Sequence, residues 1–160
     1  MNKIIAVDPG PEMSSYVMWD GKTIIEATTI PNERIISYLR GQSRYWQIRI
    51  FVIEQVTSYG MSVGHDIFET VFWSGRFCQV WDADFTRIPR MDVKMHLCHN
   101  SRAKDSNIRQ ALIDRFGDRS TKKRLNPVYG DIKLKGGEWQ AFALAVTYWD
   151  QKAPQFIAGG

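Results

Sequence analysis

The sequence predicts an α/β fold, a mixed five-stranded sheet with helices on both faces. Two observations carry that expectation. Three extended segments open the chain, followed by a helix and then by strands alternating with helices. Two of the strands, Ile4-Ile5-Ala6-Val7-Asp8 and Phe51-Val52-Ile53-Glu54, are also apolar on both faces up to a single terminal carboxylate, the pattern of strands covered from two sides.

Residues 2–8 read as the first strand, and 15–19 and 23–27 as two more, joined at the hairpin pair Asp20-Gly21. A helix follows over 31–41: Pro31 suits its first turn, Ile35, Ile36 and Leu39 recur at helical spacing, and Gly41 stops it. Residues 48–55 form the fourth strand. Beyond Tyr59-Gly60, the spacing of Ile67, Val71, Ser74 and Cys78, with Phe68, Phe72 and Gly75 beside them, predicts a helix over 62–80 with a broad buried face. Gly64 and Gly75 are read as letting it approach the sheet closely. A fifth strand at 85–88 precedes Pro89, and helices are expected at 91–97 and 105–116, the latter stopping at Gly117. The polar, basic stretch 118–136, interrupted by Pro127 and Gly130, reads as a mobile loop. Trp139, Phe142, Val146 and Trp149, with Ala141, Ala143 and Ala145 between them, give a closing helix over 137–150. The organisation expected is one domain over 1–150 and a flexible tail over 151–160.

A chain of 160 residues with 44% apolar content can bury a sizeable core, which excludes a disordered or fibrous class. It carries no apolar run of membrane-spanning length and no recognisable export signal, so a cytoplasmic location with reduced Cys78 and Cys98 is expected. Charge is unevenly spread. Residues 87–135 hold 13 Lys/Arg against 5 Asp/Glu, whereas the rest of the chain is net acidic, which suits a polyanion held by one part and acted on by the other.

Two strand-end acids delivered to one rim of a sheet repel each other unless a divalent cation sits between them. Oxygen donors of this kind suit hard cations such as Mg²⁺ or Mn²⁺, and metal-dependent phosphodiester chemistry is the leading expectation. His96, Cys98 and His99 lack the spacing of a closed zinc site, and no glycine-rich phosphate loop appears, so no nucleotide cofactor is expected.

Asp8-Pro9-Gly10 after an apolar strand, Glu54-Gln55-Val56 ending the fourth, Asp92-Val93-Lys94, the helix opening Ala103-Lys104-Asp105-Ser106-Asn107 and an alanine-rich last helix together resemble the RuvC family of Holliday junction resolvases, in its phage-encoded branch. The resemblance spans nearly the whole chain. It implies a ribonuclease H-like architecture and a homodimer that cuts four-way DNA junctions symmetrically, with two Mg²⁺ or Mn²⁺ ions per active site. By that resemblance Asp8 bridges both ions and Glu54 completes one site. On the last helix the family's acid positions fall on Gly137 and Gln140. Glu138, in the same first turn, is the substitute carboxylate, Gln140 offers a neutral oxygen, and Asp131 is a weaker candidate.

Lys94 and Lys104 match lysines near the scissile phosphate, and Lys104 is counted with Asp8, Glu54 and Glu138 as catalytic. Arg102, Lys122, Lys123 and Arg124 are expected phosphate contacts along a junction arm, together with Arg119, Lys133 and Lys135. Thr57 stands where the family often has an aromatic residue that probes unstacked bases, which leaves Tyr59 to stack on an exposed base. The helix over 62–80 is the expected dimer interface. Two alternatives to a junction endonuclease stay open: a junction-binding protein with weak or lost catalysis, and a ribonuclease acting on RNA–DNA hybrids.

Overall fold

The computed structural model describes residues 2–158, with side chains described through residue 152. In chain order the elements are β1 (Lys3–Asp8), β2 (Met13–Trp19), β3 (Ile24–Pro31), α1 (Asn32–Gln42), a 3₁₀ turn (Ser43–Tyr45), β4 (Arg49–Gln55), α2 (His65–Trp81), β5 (Phe85–Pro89), α3 (Arg90–Cys98), α4 (Asp105–Phe116) and α5 (Gly136–Ala158). The sheet order is β3-β2-β1-β4-β5, with β1–β2 and β2–β3 antiparallel and β1–β4 and β4–β5 parallel. This is the mixed five-stranded α/β sheet that the order of elements predicts.

Strand alternation sorts the apolar runs into two cores. Ile4, Ala6, Val17, Trp19 and Val52 face α4 and α5, where Ile108, Leu112, Phe142, Ala143 and Val146 meet them. The intervening Ile5, Val7, Phe51 and Ile53 face α1 and α2 through Ile35, Leu39, Phe77 and Trp81. Ala141, Ala143 and Ala145 are fully buried, and their small side chains let α5 lie close over the centre of the sheet. Asp150 ties three helices together: Arg115 donates to its two oxygens at 2.6 and 2.8 Å, and His96 Nε2 stands 2.7 Å away.

Several elements differ from expectation. β3 runs on to Pro31, because β2 begins at Met13 and offers it a partner over that whole length. α5 continues past 150 to Ala158, through most of the stretch set apart as a tail, where Gln151, Lys152 and Ala153 are good helix formers; Gly159 and Gly160 lie outside the described residues. The segment 118–136 is irregular, as expected, but it is pinned rather than mobile. Tyr129 is buried and donates its hydroxyl to the Gly117 carbonyl. The Asn126 amide donates to the carbonyls of Phe116 and Asp118, and Ile24 N–H donates to the Val128 carbonyl.

The largest departure is α2. Only Thr70, Phe77 and Trp81 of this helix are buried, whereas the stripe predicted to be its buried face is open: Ile67 is 39% exposed, Phe68 64%, Val71 49% and Phe72 59%. The helix is apolar on more than one side, and the sheet can cover only one of them. Gly64 and Gly75 serve no close approach, since a Cβ at either would meet open space. The two thiols are half-buried and unpaired, and burial pushes both above their ordinary range.

Candidate active site

The parallel pairing of β1 with β4 puts Val7 opposite Ile53, so the residues that follow, Asp8 and Glu54, leave the carboxyl ends of adjacent strands side by side. Both continue the set that faces α5, behind Ala6 and Val52. The turn after Asp8 is built to hold it there. A Cβ at Gly10 would overlap the Met13 carbonyl oxygen, so the turn requires glycine. Ser14 and Asn32, both buried, bracket Gly10: its N–H donates to Ser14 Oγ at 3.0 Å, and Asn32 Nδ2 donates to its carbonyl at 2.9 Å.

Burial drives the Asp8 carboxyl well above the usual carboxylate range, and the side chain of Glu54, hydrogen-bonded to it, pushes in the same direction; the Arg90 guanidinium opposes both. Two negative charges are disfavoured in this buried setting, and a divalent cation between them would offset that repulsion. Arg90 Nη1 stands 3.7 Å from Glu54 Oε1, and its Nη2 pairs with Asp105 Oδ1 at the start of α4.

Asp8, Glu54, Arg90, Val93, Gln140 and Leu144 enclose a narrow cavity of about 10 Å³, room for one water-sized body. It adjoins a cleft of about 700 Å³ lined by Asp8, Arg90, Asp105, Arg109, Gly137 and Gln140, among others. Arg109 lies over the Trp139 ring, 5.2 Å from its centroid, at the wall of that cleft.

The first turn of α5 is arranged in an unexpected way. Gly137 abuts Asp8: a Cβ there would lie 2.5 Å from Ser15 Oγ and 3.0 Å from Asp8 Oδ2. A side chain at this position would displace the very groups that form the site. Glu138 is buried and accepts a hydrogen bond from Thr29 Oγ1 at 2.9 Å, and the Thr29 hydroxyl in turn lies 2.7 Å from Ser15 Oγ. Because Asp8 pairs with Ser15 and Ser15 with Thr29 across the strands, Glu138 ends a polar row that runs from β1 to β3.

The structure thus brings together Asp8, Glu54 and Gln140, with Glu138 set back on Thr29. Among the described residues, no group of three or more His, Cys, Asp or Glu is gathered closely enough to hold a metal. The residues present fit a hard cation in one respect that can be read directly. Two abutting carboxylates and the Gln140 side chain border a cavity of the right size, and the carboxylates' mutual repulsion is what a divalent ion relieves.

Lys104 is exposed at the start of α4, where its N–H donates to Asn107 Oδ1, and Arg102 is exposed two residues earlier. Lys94 is half-buried on α3. Tyr59 is 55% exposed in a left-handed turn, and its hydroxyl accepts the Met91 N–H at 3.3 Å, which sets the ring above the first turn of α3. Lys122, Lys123 and Arg124 do not converge with the carboxylates. They sit on an exposed turn closed by hydrogen bonds between Thr121 and Arg124, beside the β2–β3 turn, at the opposite end of the sheet from Asp8. Asp131 is exposed and borders neither cavity.

Sequence reasoning missed Arg90, Arg109 and the Ser15–Thr29 pair. A signal for Arg90 existed: it follows Pro89 directly, and a fifth strand parallel to the fourth brings the residue after it to the same rim as Glu54.

No family model matches the chain, and no curated protein matches it. Among helices of the described residues, none is long and apolar enough to cross a membrane. Solved structures do match. The chain is similar to RuvC of Thermus thermophilus, with a TM-score of 0.68 at 12% identity over 94% of this chain and 96% of that one. It is similar also to T. thermophilus RuvC in complex with Holliday junction substrate, with a TM-score of 0.65 at 11% identity over 92% of each chain. At these identities the likeness establishes the fold: the mixed five-stranded sheet with its covering helices is RuvC-like.

Proposed function

We propose that the protein is a structure-selective DNA endonuclease that cuts four-way and other branched DNA junctions with the help of Mg²⁺ or Mn²⁺, as part of DNA recombination or repair in the cytoplasm. The observation that carries this reading is the buried contact of Asp8 with Glu54 at the carboxyl rim of a RuvC-like sheet. A solved structure of the same fold, RuvC of T. thermophilus, holds a Holliday junction substrate.

Asp8 and Glu54 would hold the cation, with Gln140 as a neutral oxygen donor; Glu138 would serve a second ion by leaving Thr29. Bound there, a divalent ion activates water and stabilises the leaving oxygen of a phosphodiester. The chain's own residues do the rest. Gly137 keeps the wall beside Asp8 low enough for a backbone phosphate to approach, while Arg109 on the cleft wall and Lys104, exposed at the start of α4, would offer positive charge to that phosphate. Arg102 and Lys94 extend this basic surface. Lys122, Lys123 and Arg124, at the far end of the sheet, would meet a duplex arm rather than the scissile bond, and Tyr59, 55% exposed, would offer its ring to an unstacked base.

One observation favours a second reading, a junction binder with feeble catalysis: among the described residues, no more than two acids meet directly.

Two aligned cuts need two sites in register, and the open stripe Phe68, Val71 and Phe72 on α2 fits burial against a second copy of the chain. A labelled four-way junction incubated with Mn²⁺ is expected to yield paired nicks at symmetric positions, with linear duplex and RNA–DNA hybrid cut far more slowly. Phe72→Glu, which puts a charge in the stripe, is expected to give a monomer by light scattering and unpaired nicks. A shifted band without nicks supports the binder, and preference for the hybrid supports a ribonuclease. A wild-type protein that stays monomeric on the junction contradicts the dimer.

A further inference from the structure

Arg90 opens α3 directly after Pro89, and the parallel pairing of β5 with β4 delivers its guanidinium to the rim that holds Asp8 and Glu54. Nη1 stands 3.7 Å from Glu54 Oε1, while Nη2 pairs with Asp105 Oδ1 on the first turn of α4. The side chain borders both the narrow cavity between the carboxylates and the wide cleft that leads away past Arg109. Arg90 is therefore shared between two anions, one belonging to the metal set and one outside it. A cation so placed offsets the charge that a divalent ion would offset, and it repels that ion as a like charge.

We infer that Arg90 is an electrostatic gate on the metal site: it holds Glu54 before a cation arrives and moves to a backbone phosphate when cation and DNA are present together. The inference rests on the metal-dependent nuclease reading of this site. Asp105, whose side chain is 69% exposed, keeps the guanidinium at the mouth of the cleft, within reach of a phosphate lying against the start of α4. The planar fork of arginine matches phosphate oxygens in a way that its single long contact with Glu54 does not. The consequence is coupling. Arg90 weakens the cation in the free protein, and a phosphate that draws Arg90 away restores it, so by linkage the cation also favours DNA.

The test is Mn²⁺ affinity by isothermal titration of the full chain without DNA, and four-way junction affinity in Ca²⁺, for wild type, Arg90→Gln and Arg90→Lys. Circular dichroism and Tm confirm that each variant is folded. Arg90→Gln is expected to bind Mn²⁺ roughly five- to tenfold more tightly than wild type and the junction roughly tenfold more weakly. Arg90→Lys, which keeps the charge without the fork, returns Mn²⁺ affinity toward wild type and recovers only part of the DNA affinity. Loss of a merely structural ion pair would not tighten the metal. Folded Arg90→Gln with unchanged or weaker Mn²⁺ binding overturns the gate, and tighter Mn²⁺ with unchanged junction affinity overturns the transfer to phosphate. Wild type that takes up no Mn²⁺ removes the metal reading itself, an outcome distinct from either.

Discussion

Asp8→Asn is expected to lower junction cleavage by about 10³-fold or more, the scale of losing a group that stabilises charge at the reacting phosphate, while junction binding stays the same or tightens. The change removes one negative oxygen from the pair that would grip the cation and leaves the shape of the rim intact. It carries a second, independent signature in the metal-free protein. Burial and the facing Glu54 hold the Asp8 carboxyl well above its ordinary value, so in the folded state it keeps a proton that the unfolded chain has already released. Wherever the folded state binds more protons, stability falls as pH rises. Wild type without metal should therefore lose stability as pH climbs from the ordinary carboxylate range through the raised value of Asp8.

Asparagine carries no charge and can donate its amide to Glu54. Asp8→Asn should accordingly melt higher than wild type at neutral pH by about 3–6 °C, the equivalent of ~1–2 kcal/mol in a domain of this size. That difference should vanish at low pH, where aspartate is protonated in both states. Thermal melts of both proteins across pH in the presence of a chelator check it. A variant that cleaves normally, or that is less stable than wild type at neutral pH, would remove the basis for pairing these two acids.

Trp19→Ala should cost about 3–5 kcal/mol, the range for deleting a buried aromatic side chain, and lower Tm by roughly 10–15 °C. Trp19 ends β2 and is 1% exposed; its ring meets Phe116 of α4 and Phe142 and Trp149 of α5 edge-on, with centroids 5.6 to 5.9 Å apart. Truncation empties the point where the sheet, α4 and α5 join. Leu125→Ala, at a side chain 75% exposed and away from the α2 stripe, serves as the control. Chemical denaturation of the two variants against wild type measures the contrast.

Much of the site was legible because it depends on pattern alone. Apolar runs ending in Asp8 and Glu54 need only be parallel neighbours to bring the acids together, and β1 and β4 are such neighbours although β2, β3 and α1 lie between them in the chain. Arg90 was not legible from its own surroundings, since its place at the rim depends on where the fifth strand pairs. The orientation of Glu138 was hidden for a related reason. Successive residues of a helix point about 100° apart, so one step from Gly137 to Glu138 turns the carboxylate from Asp8 toward Thr29. The stripe on α2 shows the limit of periodicity: spacing says that Ile67, Phe68, Val71 and Phe72 want cover, but not whether this chain or another supplies it. The segment after α4 reads as mobile from its charge and glycine, but Tyr129, buried against Trp139 and Phe142, and the Asn126 amide anchor it.

The central claim is that Asp8 and Glu54 grip one divalent cation between them. Crystals of the protein soaked in Mn²⁺ and measured at the manganese absorption edge test it directly. An anomalous peak between the two carboxylates, within about 2.0–2.4 Å of an oxygen from each and close to Gln140, is the result expected. Manganese found only elsewhere on the molecule, with none between Asp8 and Glu54, would contradict it.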